Sequence, residues 1–142
     1  KLTRAMMVTI LYRMSGSPAV TGVNPFTDVP AGTWYSDAVL WAYDKGIVKG
    51  TSETTFAPTA DITRQDMATI IARYAAAFQI ELKAADGSTF SDDSAIAGYA
   101  KDAVYSMKAS GILSGKGNDR FDPQGTTTRA ETAKVIALLH AI

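Results

Sequence analysis

The chain contains no cysteine. Disulfides, cysteine-ligated metals and thiol chemistry are therefore excluded, and the same absence fits an extracellular protein of the kind that avoids disulfides. It carries no excess of charge, because 14 basic side chains balance 14 acidic ones, and no run of charge exceeds two residues. Neutrality argues against a non-specific nucleic-acid binder and against a polybasic membrane binder. No apolar run reaches the roughly 18 residues of a membrane span, so membrane insertion is not expected. The one histidine, His140, stands near the end of the chain with no evident acid or serine partner. No glycine-rich loop is followed by a phosphate-binding lysine. The carboxylates are scattered, and nothing marks two of them as a glycosidase pair. Asp86-Gly87-Ser88 and Asn118-Asp119 lack the ligand density of a calcium loop. The sequence therefore calls for no enzyme activity, no metal and no cofactor.

What remains is a chain of 142 residues, 46% apolar and 20% charged, enough for one globular domain with a modest core. Its organising stretch is Ile62-Thr63-Arg64-Gln65-Asp66-Met67. The stretch returns as Thr127-Thr128-Arg129-Ala130-Glu131-Thr132 and, earlier, as Leu2-Thr3-Arg4-Ala5-Met6-Met7. Each copy reads as a helix start. Thr63 and Thr128 suit the N-cap, and an acid follows three residues later at Asp66 and Glu131, as in a capping box. Met6 takes the acid's place in the first copy. Apolar stripes follow: Met67, Ile70, Ile71 and Tyr74; Ala133, Ile136 and Leu138-Leu139; Met7, Ile10, Leu11 and Met14.

The arginines fit this scheme less easily. Arg4, Arg64 and Arg129 occupy the first helical position, where the helix dipole disfavours a cation. Two readings of the threefold recurrence stand together: a repeated salt bridge to a neighbouring unit, or a fixed cation facing an anionic ligand.

Between the helix starts the chain repeats a second pattern. Phe26-Thr27-Asp28 recurs as Phe90-Ser91-Asp92, Gly46-Ile47 with Gly50 as Gly111-Ile112 with Gly115, and Phe56-Ala57-Pro58 as Phe121-Asp122-Pro123. A short helix is expected from about Ser36 to Lys45, facing inward through Ala38, Val39, Ala42 and Trp41. Its counterpart faces inward through Ala103, Val104 and Met107. Gly46 and Gly111 should end these helices as C′ residues, with Ile47 and Ile112 making the contact beyond a Schellman cap. Phe56-Ala57-Pro58 reads as a brief extended stretch. The polar, glycine-containing segment 79–88 reads as a flexible insert, with Ile80 and Leu82 pinning it to the body. The boundaries are a partial repeat at 1–17 and repeats at 24–78 and 88–142, within one domain spanning 1–142. No unit can bury its apolar faces alone, so neighbouring units must share a core.

This ordered set resembles the repeat of the S-layer homology domain family. The match runs through Phe26, Asp28, Val29, Trp34, Tyr35, Ala38, Val39, Gly46, Ile47, Gly50, Phe56, Pro58, Ile62, Thr63 and Arg64. It recurs through Phe90, Asp92, Tyr99, Ala103, Val104, Gly111, Ile112, Gly115, Phe121, Pro123, Thr128, Arg129, Ala130 and Glu131. Leu2, Thr3, Arg4 and Ala5 match the surviving end of a first repeat. The resemblance implies a mainly α fold, a pseudo-threefold prism of repeats around a central three-helix bundle, with short outer helices and loops. It implies a non-catalytic module that anchors a secreted protein on a Gram-positive-type cell wall or S-layer. The partner it implies is secondary cell wall polysaccharide attached to peptidoglycan, often made anionic by a pyruvate ketal, and the parent protein is expected to carry another domain.

Carried onto this chain, Arg4, Arg64 and Arg129 are the expected carboxylate-binding residues, since an arginine fork suits a planar carboxylate and a helix N-terminus adds N–H groups beside it. Trp34 and Tyr99 offer aromatic faces to a sugar ring, though Trp34 reads equally as core. Gly46 and Gly111 would let a ligand approach the backbone. Asp28 and Asp92 either accept hydroxyl hydrogen bonds or cap their own turns. The first repeat lacks its loop and short helix, so one or two competent grooves are expected rather than three, with Arg64 the firmest candidate. The alternative is a protein–protein interaction or structural module that binds no glycan.

Overall fold

The computed structural model describes residues 1–142. The chain is mainly α-helical, with five helices: α1 Arg4–Met14, α2 Ser36–Asp44, α3 Arg64–Ala77, α4 Lys101–Ala109 and α5 Arg129–His140. Two 3-10 turns, Asp93–Ala95 and Gly98–Ala100, precede α4. The helices fall in two compact units, Leu2–Ile62 and Thr63–Ile142, the second also including Lys1.

The three longer helices begin as their sequences require. Thr3, Thr63 and Thr128 hold extended backbone angles, and their hydroxyls accept from the amides of Met6, Asp66 and Glu131. Each satisfies one of the donors that a helix start leaves open, worth about 1 kcal/mol. The box acids are drawn elsewhere: Asp66 accepts from the Tyr99 hydroxyl, and Glu131 from Arg64 and Thr127. The short helices α2 and α4 have no side-chain cap and place Asp37 and Asp102 in the first turn, where the helix dipole favours a carboxylate.

Helix ends follow one device. Ile47 N–H donates to Ala42 O and Gly46 N–H to Tyr43 O; Ile112 and Gly111 do the same to Met107 and Lys108. These are Schellman caps, and the glycines stand at φ 75° and 73°. α3 ends identically, with Ile80 donating to Ala75 and Gln79 to Ala76, but Gln79 sits at φ 58° without a glycine's freedom.

In the unit Leu2–Ile62, α1 packs along α2. Met7, Val8 and Leu11 of α1 are buried, as are Val39, Trp41 and Ala42 of α2, with Phe26, Ile47 and Phe56 beneath the loops. An isolated antiparallel bridge joins Thr3 to Asp61. The unit Thr63–Ile142 repeats the scheme with α3 along α4, core residues Met67, Ile71, Val104, Met107 and Phe121, and a bridge from Thr63 to Thr126. Each unit thus joins the Thr-Arg helix of one sequence repeat to the loop, short helix and Phe-x-Pro of the next. The unit boundary lies between Ile62 and Thr63, inside the sequence repeat 24–78.

Several expectations are corrected by packing. Met14 is exposed and Ile10 half-buried. On α5, Ile136 and Leu139 are buried, but Ala133 and Leu138 are exposed. Phe-x-Pro is not extended: its central residues, Ala57 and Asp122, lie in the left-handed region at φ 57° and 61°. The segment 79–88 is held by Lys83 as much as by half-buried Ile80 and Leu82: Lys83 N–H donates to Ser110 Oγ, and Ser106 Oγ donates to Lys83 O.

Candidate functional site

Both units are built around the peptide group of one phenylalanine. In the second unit, the Asp92 carboxylate accepts from the N–H groups of Phe121 and Asp122, each at 2.9 Å. Arg64 Nε donates to the Phe121 carbonyl from the other side, at 2.8 Å. In the first unit, Asp28 accepts from Phe56 and Ala57, at 2.9 and 2.8 Å, and Arg4 Nε donates to Phe56 O at 2.8 Å. Each guanidinium carbon also lies 4.9 Å from the ring centroid of that phenylalanine, within cation–π range. The aspartate side chains therefore hold a turn across about 30 residues of sequence rather than their own loops. The bend they hold contains the left-handed Ala57 or Asp122.

Arg64 is 4% exposed. Besides Phe121 O it donates to Ser114 O at 3.0 Å and, through Nη1, to Glu131 at 2.9 Å. Glu131, 37% exposed, also accepts from Thr127 Oγ1 at 3.0 Å. The salt bridge to a following repeat is thus present. Three of the five N–H groups of Arg64 are spent on it and the two carbonyls, leaving one on each of Nη1 and Nη2. Arg4 is also buried, at 7% exposed, whereas Arg129 is exposed.

The next two residues of α3 hold Tyr99. Its hydroxyl donates to Asp66 Oδ1, Gln65 Nε2 reaches the same hydroxyl at 3.4 Å, and Gln65 Oε1 accepts from Ala97 N–H at 2.9 Å. The ring stays 61% exposed. Trp34 is 60% exposed and edge-on to Tyr35, which removes the core reading for it. Arg64, Tyr99, Asp92 and the turn after Gly111, represented by Ser114, are therefore gathered around the start of α3. In the first unit, Arg4 and Asp28 share Phe56.

Gly46 and Gly111 are required by their positive φ, and an added Cβ would meet open space there. The close approaches lie elsewhere. A Cβ on Gly50 would sit 2.5 Å from Phe26 Cε1, and one on Gly115 would sit 2.7 Å from Arg120 O. Sequence reasoning missed Phe56, Phe121 and Ser114, and it allowed Arg64 a salt bridge to a neighbouring unit without naming Glu131 as the partner. The recurrence of Phe-x-Pro at a fixed distance before each Thr-Arg was the available signal for the first two.

The electrostatics around α4 are local. Burial pushes Asp92 up, but the N–H groups of Phe121 and Asp122 outweigh it and hold the carboxyl below its usual range. Asp93 is lowered by the Tyr105 hydroxyl and then by Lys101. Tyr105 is pushed up to about 12, first by burial and then by Asp93. Asp86 is lowered by Ser88, whose hydroxyl and N–H both donate to it. No three His, Cys, Asp or Glu side chains come together as a metal site, and no helix is long and apolar enough to cross a membrane.

The family model described as "S-layer homology domain" matches residues 25–68 and 89–133. An amylopullulanase from Thermoanaerobacterium thermosulfurigenes is 35% identical over 136 residues, covering 95% of this chain and 7% of that protein. An endoglucanase from Bacillus sp. (strain KSM-635) is 32% identical over 139 residues, covering 97% and 15%. The surface-layer 125 kDa protein of Lysinibacillus sphaericus is 33% identical over 139 residues, covering 96% and 11%. The chain thus spans a small fraction of the length of each of these relatives.

Proposed function

The chain belongs to the S-layer homology domain family, and from that premise we propose that it is a cell-wall anchoring module that binds secondary cell wall polysaccharide on a Gram-positive-type surface. It is a non-catalytic repeat module. The observation that carries the proposal is the range of proteins it is similar to: two differently named enzymes and a surface-layer protein. A module common to these serves no one catalysis, and a shared extracellular place at the cell wall is the simplest common factor. By the same reasoning the parent carries other domains.

For the ligand we propose an anionic, pyruvylated polymer. In the second unit, Arg64 contributes its field and the two N–H groups left on Nη1 and Nη2, with Glu131 as the competing carboxylate. Tyr99, fixed by Asp66, contributes an exposed ring to a sugar face. Asp92 acts by holding the turn, and Gly111 by keeping the adjoining turn open. Arg4, Trp34, Asp28 and Gly46 form the corresponding set in the first unit, and Arg129 the start of a third. Residues 1–142 would form one domain in which α1, α3 and α5 make the centre of a pseudo-threefold prism. Spin labels at the equivalent positions Arg13, Arg73 and Leu138 would then give three similar separations, and one outlying distance would contradict the symmetry.

Calorimetric titration with polysaccharide fragments, with and without the ketal, tests the ligand. Tighter binding of the pyruvylated fragment is expected, with Tyr99→Ala costing about 1 kcal/mol. Equal affinity for both fragments would remove the pyruvate from the proposal, and no binding of either would remove the glycan.

A further inference from the structure

Asp86 is the one aspartate or asparagine in the chain that a glycine follows. It lies on the segment 79–88 between α3 and Phe90, and Lys83 to Thr89 are all exposed. This segment is held to α4 at two points. Lys83 is bonded to Ser106 and Ser110, and Ser88 Oγ accepts from Lys108 Nζ at 2.8 Å. Between the two holds, Asp86 Oδ1 accepts from Ser88 N–H at 2.9 Å and from the Ser88 hydroxyl at 2.6 Å. Gly87 stands at φ 90°, and a Cβ added there would meet open space.

An Asp-Gly pair can react with itself. The Gly87 amide nitrogen attacks Asp86 Cγ, and the new C–N bond closes a five-membered imide. One carboxyl oxygen leaves as water, taking the carboxyl proton and the amide proton. Water then opens the ring. Addition at Cγ restores aspartate; addition at the main-chain carbonyl breaks the original peptide bond and leaves Gly87 joined through Cγ, as isoaspartate. The sum is an isomerisation that consumes no other reactant. Glycine permits it because, with no Cβ, its backbone turns freely and its nitrogen is unshielded. Other positions are closed to this reaction. Asn24 and Asp122 precede proline, which has no N–H. Asp28 and Asp92 are each held by two main-chain amides, and Asp93 by Tyr105 and Lys101.

We infer that Asp86-Gly87 is a site of spontaneous isomerisation in the folded chain, and that Ser88, backed by Lys108, sets its pace. Ring closure needs a neutral carboxyl, so that the departing oxygen leaves as water. Ser88 works against this. Its hydroxyl and then its N–H hold the Asp86 carboxyl below its usual range, and Lys108 adds to the effect. Lys108 is itself placed by Phe90, with the ammonium 5.4 Å from the ring centroid. Isomerisation adds one atom to the main chain between the two holds on α4 and moves the carboxylate from the side chain to Cα. The inference is independent of the glycan reading.

The test holds the folded chain at body temperature and mildly acidic pH for several weeks. Samples are labelled with an isoaspartyl methyltransferase and mapped by peptide mass spectrometry. The expected result is isoaspartate accumulating at Asp86 and at no other aspartate or asparagine. It should form threefold or more faster in Ser88→Ala and tenfold or more slower in Gly87→Ala. Both substitutions fall on exposed residues, and circular dichroism checks that the variants are folded. A synthetic peptide of residues 83–90 carries the pair without Lys108 and should react faster than the folded chain. No isoaspartate at Asp86 in the folded chain would overturn the site. An unchanged rate in Ser88→Ala, or equal rates in chain and peptide, would overturn the part given to Ser88 and Lys108.

Discussion

Replacing Arg64 with methionine separates a buried clasp from a surface cation. The side chain is 4% exposed and donates to Phe121 O, Ser114 O and Glu131. A hydrogen bond from a charged donor contributes about 1.5–3 kcal/mol, and breaking a buried ion pair by removing one partner costs about 3–5 kcal/mol. Two effects reduce the total. Glu131 is 37% exposed and regains water, and methionine fills much of the stem's volume without the guanidinium's desolvation cost. The net loss should be about 3 kcal/mol. Arg129→Met is the control, because Arg129 holds the same first position on α5 but is exposed. It should change stability by at most about 1 kcal/mol, the range of an exposed charged pair. Urea denaturation followed by far-ultraviolet circular dichroism measures both variants, because the tryptophans lie in the other unit. A loss under about 0.5 kcal/mol for Arg64→Met, or an equal loss for Arg129→Met, would refute the clasp.

The carboxyl of Asp92 lies below its ordinary value, so its contribution is complete above the unfolded pKa of about 3.9 and is lost as pH falls through the folded one. Asp92→Ala should cost about 2 kcal/mol at pH 7 through its two backbone bonds and flatten the acid limb of the stability–pH curve; an unchanged limb would contradict the assignment. Tyr105, raised to about 12, contributes fully below about 10 and loses that contribution as pH rises through its folded pKa. Tyr105→Phe should therefore shallow the alkaline limb, as read by melting temperature from pH 9 to 12. Gln79→Gly should stabilise α3 by about 0.5–1 kcal/mol by relieving a left-handed residue at its C′ position, and a lower melting temperature would count against strain there. Gly50→Ala should be severely destabilising, since its Cβ would strike Phe26 and two backbone carbonyls at φ 93°; a normal melting temperature would contradict that geometry.

The features legible in the sequence are those fixed within one turn of chain. Thr3, Thr63 and Thr128 cap helices because a hydroxyl three residues before an amide needs no distant partner. Gly46 and Gly111 end helices because only the local φ demands them. What escaped was set by distance. Glu131 suits a capping box, yet Arg64, 67 residues earlier, draws it away. Ala57 gives no local sign of a left-handed conformation, because Asp28 imposes it from 29 residues away. The alternation of apolar residues on α5 marks Ala133 as inward, but burial also needs a partner, and the two short helices lie on α1 and α3. The site residues were legible as types; that Asp28 with Arg4, and Asp92 with Arg64, grip one peptide group apiece depended on the fold.

The most direct test of the anchoring role is co-sedimentation of the chain with purified Gram-positive cell walls, intact and stripped of secondary polysaccharide. The account predicts retention on intact walls and loss of retention on stripped ones. Equal retention on both, or none on intact walls, would contradict it.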